Sequence, residues 1–211
     1  MDCTQDNQET VILPPTQKVI EANAFRWRHN LKSIVIPDSV EEIGENAFKG
    51  TGVEEIVFPR ELRRLGPLGG EMLNLRKLDF SKVTKLEVIP PEFAGLDVPE
   101  LKELVLPLGV KKIGSSLAID YLDTLFLPPT VEVIEDLDQS GICIYCFSPK
   151  VDRIASMRYI VDGPEDVNHL YVLPEYLETY KAQCESEGVP KDDEAMPVIE
   201  VMPEEYRHFY D

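Results

Sequence analysis

No stretch of this 211-residue chain approaches the run of about 20 apolar residues that a membrane-spanning helix needs. Basic residues are scarce: 21 Lys and Arg stand against 39 Asp and Glu, for a net charge of −18. Phosphate backbones and anionic membrane surfaces are bound by clustered cations, so neither nucleic acid nor a lipid surface suits this chain. Cysteine is sparse, at Cys3, Cys143, Cys146 and Cys184, and the spacing is not that of a secreted disulfide framework. Met1 is followed by the polar "DCTQDNQET", which lacks the charged start and apolar run of an export signal. The chain therefore reads as cytosolic, or as one cut after its export signal. Glycine (12) is outnumbered by proline (17), and each proline removes a backbone donor, which excludes a long-helix protein.

Hydrophobic residues make up 43% and charged residues 28%, so the chain should fold. What it has in place of long elements is a short phrase said many times. "LKSIVIPDSVEEI" at 31 returns as "VEEIVFPRELRRL" at 53, "LKELVLPLGVKKI" at 101 and "LDTLFLPPTVEVI" at 122. Weaker copies are "LRKLDFSKVTKLEVI" at 75 and "ICIYCFSPKVDRI" at 142, with partial copies at 11 and 170. The last strand residues of the copies are Leu13, Ile36, Phe58, Phe80, Leu106, Leu127, Phe147 and Leu173, spaced 20 to 26 apart. A period in the twenties marks a solenoid in which each repeat is one coil.

A single coil cannot hold itself. It buries about four large apolar side chains at roughly 1.5–3 kcal/mol each. Ordering about 22 residues costs roughly 1–2 kcal/mol per backbone residue. Stacking supplies two shared faces and ladder hydrogen bonds. Pro37, Pro59, Pro107 and Pro128 each follow the last inward strand residue and end the strand at the same height. Val40/Ile43, Leu62/Leu65, Leu86/Ile89, Val110/Ile113, Val131/Ile134 and Val151/Ile154, each pair three apart, then line the opposite inner wall.

The array has ends. Residues 1–10 read as a polar tail and 11–190 as the solenoid. "PEYLETYKAQCESEGVP" reads as a capping helix with Pro174 in its first turn and Gly188 just past its end. "KDDEA" follows as a linker. Residues 191–211 form an acidic extension, in which "MPVIEVMPEEYRHFY" adds one short strand and a turn. Residues 185–211 carry nine acids against two bases and are expected to be mostly a solvated tail.

These residues resemble the BspA-type leucine-rich repeat family. "LKSIVIPDSVEEIGENAF" matches every defined position of L-x-x-I-x-I-P-x-x-V-x-x-I-x-x-x-A-F, and "YVLPEYLETYKA" looks like the family's terminal module. The resemblance spans about residues 11–185. It implies an α/β-type repeat solenoid: a right-handed leucine-rich-repeat coil with one parallel sheet, a short irregular, 3-10 or β convex side, and a C-terminal capping helix. It also implies a surface or secreted protein, of a kind found in host-associated bacteria and some protists and linked to adhesion and protein binding, with catalysis not its usual role. The pattern departs from the family's at Ser81, which replaces the proline. The Ala-Phe corner is clear only at 24–25 and 47–48, with Phe93-Ala94 a reversed echo.

Candidate chemistry is thin. Cys143 and Cys146 form a C-x-x-C, but within one strand they point to opposite faces about 10 Å apart, too far for a disulfide. No second pair lies near enough in sequence to complete a zinc site. Cys3 fits a lipidated cysteine only if an upstream signal has been removed; otherwise it is an exposed thiol. "GPLGGE" at 66–71 lacks the Lys-Ser/Thr of a phosphate loop and reads as a turn. His29, His169 and His208 share no metal spacing, and no G-x-S-x-G accompanies them. No cofactor and no metal are implied. A glycosidase would need two carboxylates held across a cleft, which sequence cannot place.

The remaining candidate is the outward column of the sheet: Val35, Val57, Asp79, Val105, Phe126, Cys146 and Val172, six of seven apolar. The neighbouring outward column is Ser33, Glu55, Lys77, Glu103, Thr124 and Ile144, which is mostly polar. The apolar column is read either as strand chemistry, since Val and Phe fit a pleated strand wherever it faces, or as a contact surface for a protein partner or a second copy. A glycan-binding surface protein of the same fold is the competing reading, and an enzyme a weaker one. Trp27, the single tryptophan, lies outside the sheet columns.

Overall fold

The structure is a computed structural model. It describes residues 8–86, 89, 98–113, 122–134, 141–152, 159–160, 168–187, 194–195 and 197–210. The chain winds as a parallel-strand solenoid of about five turns with a single helix near its C-terminus.

Two sets of strands alternate along it. The longer ones are β1 (Thr10–Ile12), β3 (Ser33–Val35), β5 (Glu55–Val57), β7 (Lys77–Asp79), β8 (Glu103–Val105), β10 (Thr124–Leu127), β12 (Cys143–Cys146), β14 (His169–Val172) and β16 (Val198–Val201). The two-residue strands β2 (Val19–Ile20), β4 (Glu42–Ile43), β6 (Arg64–Leu65), β9 (Lys112–Ile113) and β11 (Val133–Ile134) form the opposite wall. β5 to β16 of the first set make one seven-stranded sheet, with β1 paired to β3 beside it; β2-β4-β6 and β9-β11 pair behind. β13 (Tyr159–Ile160) pairs antiparallel with β15 (Glu194–Ala195), inside the stretch expected to be a linker.

The turn after each strand has one construction. The carbonyls of Pro37, Pro59, Pro107 and Pro128 accept from the amides of Val40, Leu62, Val110 and Val131 at 3.1–3.2 Å. Proline thus stops the ladder and opens a turn whose fourth residue drops into the core. The third full coil solves the same problem differently. Ser81 has an amide that proline would lack, and Asp79 Oδ1 accepts it at 2.8 Å.

Inside, Leu31, Ile56, Phe58, Leu78, Phe80, Leu104, Leu106, Leu125 and Leu127 are buried, as are Val40, Ile43, Leu62, Leu65, Leu86, Val110, Ile113, Val131, Ile134 and Val151. Ile89 is partly buried against them. Phe58 stacks on Phe80 with ring centroids 3.7 Å apart, and Phe25 on Phe48 at 5.8 Å. Ile154, Phe93-Ala94, Cys3 and Gly188 lie outside the described residues. "GPLGGE" is a turn as read. Gly69 takes φ +86°, and a Cβ on Gly66 would lie 2.7 Å from the Glu45 amide nitrogen of the preceding coil.

The terminal helix begins as a 3-10 turn, Pro174–Tyr176, and continues as α1 (Leu177–Glu187). Tyr180 is fully buried and donates to the Ser148 carbonyl at 3.1 Å, with Cys146 Sγ 3.2 Å away. Gln183 Nε2 donates to the Val151 carbonyl at 2.8 Å. The helix therefore docks on the coil before it, which is what closes that end of the core.

The acidic extension is where expectation and structure part. Four of its residues form β16, parallel to β14 in the main sheet, with Ile199 against the inner core. Met202 is fully buried. Residues 202–210 then lie back across the outer face of the sheet and form a second hydrophobic cluster there. Counting charges misled: the acids of 198–210 sit among Val, Ile, Met, Tyr and Phe, which have a face to cover.

Candidate functional site

The outward column can be read from strand register. Ile12 lies beside Val35, Val57 beside Asp79, Asp79 beside Val105, Val105 beside Phe126, Phe126 beside Tyr145, Tyr145 beside Tyr171, and Tyr171 beside Glu200. Of the seven residues expected in it, Val35, Val57, Asp79, Val105 and Phe126 are there. Cys146 and Val172 are not: both are fully buried in the inner core. Ile144, expected in the neighbouring outward column, also faces inward, and half-buried Cys143 takes its place.

The reason is a one-residue slip. Aligning "YCFSP" with "LFLPP" by the final proline sets Phe147 against Leu127, whereas the ladder pairs Leu127 with Cys146. A shift of one exchanges the two faces of a strand. It puts Tyr145 and Tyr171 outward, and Phe147 joins the outer cluster. Cys143 and Cys146 share β12 on opposite faces as expected, with their directions reversed. Burial pushes the Cys146 thiol up to about 11, partly offset by its bonds to Tyr180 and Ser148.

The column divides in two. At the N-terminal end Ile12 is 74% exposed, Val35 51% and Val57 37%. Beyond Asp79, Val105 is 0% exposed and Phe126 3%. Their cover is the chain itself. Phe209 stacks on Phe126 at 4.5 Å, Tyr206 lies across Tyr145 at 4.6 Å, and Tyr210 meets Phe147 edge-on at 4.9 Å. The Tyr210 hydroxyl donates to the carbonyls of Leu106 (2.8 Å) and Phe126 (3.1 Å). Beneath, Phe126, Tyr145 and Tyr171 stack in series at 4.9 and 5.0 Å. Burial raises the Tyr145 phenol to about 12, with Tyr206 beside it as the next cause. Burial raises Tyr210 well above the ordinary phenol range, and Asp79 adds to it.

Sequence reading missed Tyr145, Tyr171, Met202, Tyr206, Phe209 and Tyr210. One signal was available: the aromatic spacing 206, 209, 210 puts three rings on one side of a single turn.

Charges flank the column without crossing it. Lys77 bridges Glu103 (2.7 Å) and Asp79 (3.5 Å), pairing the acid that interrupts the apolar run of the column. Burial opposes the charge on Lys77, and the bond to Glu103 with its field outweighs that, so its pKa stands raised. His169 Nδ1 pairs with Glu200 at 2.8 Å and ties β16 to β14. Lys18–Glu41, Lys32–Glu9 and Lys111–Glu132 also link adjacent coils. Being exposed and screened by solvent, such pairs add little to stability.

Stacked parallel strands, a proline turn after each and a hydrophobic residue three positions apart on the return define a leucine-rich-repeat solenoid. The chain belongs to the BspA type leucine-rich repeat family, whose profile matches residues 3–117 in six copies. Among solved structures, the chain is similar to a leucine-rich repeat protein from Bacteroides ovatus ATCC 8483, at 21% identity and TM-score 0.51, covering 66% of this chain and 43% of that one. A leucine-rich repeat protein from Eubacterium ventriosum ATCC 27560 aligns at 24% identity and TM-score 0.49 over 61% and 41%. A leucine rich cell surface protein from Faecalibacterium prausnitzii A2-165 aligns at 20% identity and TM-score 0.37 over 67% and 42%. This chain thus spans about two fifths of the length of these structures. No curated protein matches it. Among the described residues, no helix is long and apolar enough to cross a membrane.

Proposed function

We propose that this chain is a non-catalytic binding module that takes a protein partner on the outer face of its sheet, at a bacterial cell surface. The observation that carries the reading is the open ladder Ile12, Val35 and Val57: three aliphatic side chains aligned in one column, exposed, and continuous with a face that already receives polypeptide. Surface placement rests on the family alone.

Magnitudes limit what the ladder can do. Burying three fully exposed aliphatic side chains contributes about 4.5–9 kcal/mol, and this ladder contributes less, because Val35 and Val57 are already partly covered. Association costs about 4–15 kcal/mol in lost freedom. The ladder is therefore the apolar centre of a larger contact. A second copy is a poor occupant, because two chains of net charge −18 repel. A partner with basic residues around an apolar ridge fits better, since the chain is acidic overall and exposed Glu55 shares the outward face of β5 with Val57.

The test is parallel binding of the wild-type chain and the Val35→Asp/Val57→Asp variant to protein and glycan arrays. The reading predicts protein ligands that the double variant loses. Glycan ligands with no dependence on the ladder would turn the assignment to the partly exposed Tyr171 beside His169 and Glu200, the arrangement that suits a sugar ring.

A further inference from the structure

We propose that the covered half of the outer face is a receptor groove for a short aromatic polypeptide segment, and that residues 203–210 are its resident occupant, displaced when a segment of the same chemistry from a partner binds. The proposal rests on the reading that the outer face binds polypeptide, and it names the kind of segment.

Three observations carry it. First, the hydrophobic interior is two clusters on opposite sides of the sheet. The inner one holds the coils together; the outer one comprises Val105, Phe126, Phe147 and Met202 with the tail aromatics around them. Removing the tail aromatics leaves every inner contact in place.

Second, the segment docks through side chains. Its anchor is main chain, with the Met202 amide donating to the Val172 carbonyl at 2.8 Å. Beyond it, backbone bonds run locally, from Tyr206 to Pro203, Arg207 to Glu204 and Phe209 to Tyr206, and Arg207 Nε returns to the Met202 carbonyl. Leaving the face breaks the ring contacts and the two Tyr210 hydroxyl bonds, while the β14–β16 rungs, which end at Val201, stay in place.

Third, burial is one-sided. Val105, Phe126 and Phe147 beneath are buried, while Tyr206, Phe209 and Tyr210 above stay partly exposed. That is how a small ligand sits on a larger receptor. The recognised features are a ring for the Phe126–Phe209 stack, a ring across Tyr145, and a phenol whose hydroxyl reaches two strand carbonyls. In sequence terms this is aromatic, two residues, then two aromatics in succession.

A resident tail has the advantage of its tether, since a short linker holds it at an effective concentration in the millimolar range. A free peptide therefore fails against the intact chain, and a natural partner prevails by also gripping the open ladder next to Asp79.

The test uses a fluorescein-labelled peptide of residues 203–211, "PEEYRHFYD", read by anisotropy. Two receivers are prepared: the chain ending at Met202, and the full chain carrying Phe209→Ser and Tyr210→Ser. The expected result is saturable binding to both, at least ten-fold weaker binding to the intact chain, and none by a peptide with alanine at the three aromatic positions. If both receivers keep native circular dichroism yet bind no peptide, or if both lose their fold, the segment is a fixed part of the scaffold and the proposal is overturned. The peptide reads only the covered half and the arrays read the open half, so either can fail without the other.

Discussion

The first three coils and the last three present the same column of the same repeat, and they expose it oppositely. Ile12, Val35 and Val57 stand in solvent; Val105 and Phe126 occupy equivalent positions and have almost none. Nothing in the coils themselves accounts for the difference, because β3, β5, β8 and β10 turn the same residues inward. The cause is residues 202–210, more than 70 positions away in sequence from Phe126. Facing is set locally by strand alternation, whereas exposure is set by whatever folds back on it. Asp79 stands at the boundary, and there Lys77 and the Ser81 amide satisfy a carboxylate in a column that is otherwise apolar on both sides.

The largest expected effect breaks what both halves share. Leu104 is fully buried, so Leu104→Asp places an unpaired carboxylate in the inner core at a cost of several kcal/mol. Coils depend on their neighbours, so thermal melts should fall by more than 10 °C. Glu103→Gln, one residue away on the outer face, keeps the side-chain shape beside Lys77 and should melt within a few degrees of wild type. Equal melting of the two variants would mean that the inner and outer faces are misassigned.

A smaller effect separates the halves. Phe126→Ala removes a buried ring stacked on both sides and should cost about 3 kcal/mol, at the low end for buried Phe because the loss lies outside the main core. Val57→Ala, in the open half, should stay within about 0.5 kcal/mol. Chemical denaturation measures both, and a comparable loss at Val57 would erase the distinction.

Alkaline titration sharpens it further. Phenols ionise near pH 10 when free. In the docked tail Tyr210 is held up by burial, and Tyr145 beneath is raised to about 12. A folded pKa above the unfolded one means that the contribution is complete below pH 10 and is lost as pH rises towards 12 and beyond. The tail should therefore undock in that window. Absorbance at 295 nm should show a late-ionising set of tyrosines; removing residues 203–211 takes Tyr210 out of it and lets Tyr145 ionise earlier, while Tyr180, buried beneath the terminal helix, stays late. Within the closed half a smaller loss than that of Phe126→Ala is expected for Tyr210→Phe, which keeps the ring and loses a hydroxyl shared by two carbonyls, at about 0.5–1.5 kcal/mol.

Much of this was legible in the residues. The coil, its proline turn, the paired inner wall and the capping helix follow from a phrase repeated in phase, because each copy must solve one local packing problem. The phase failed at Cys146 and Val172. "CIYCF" carries apolar or small residues at every position, so alternation left no mark and the proline was the only guide. The covering segment was hidden for a different reason. A tail's docking depends on a distant face with room for its rings, and composition showed only its acids. Half of the candidate face could thus be placed from sequence, and its closure could not.

The central claim is that one half of the outer column is open and the other is closed by the chain's own C-terminus. Cysteine reactivity measures it directly, in a background lacking the four native cysteines. Val57→Cys and Val105→Cys are each reacted with a maleimide under native conditions, in the full chain and in the chain ending at Met202. The account predicts that Val57→Cys reacts rapidly in both, while Val105→Cys is at least 100-fold slower in the full chain and approaches Val57→Cys once the tail is gone. Equal reactivity of the two positions in the full chain would contradict it.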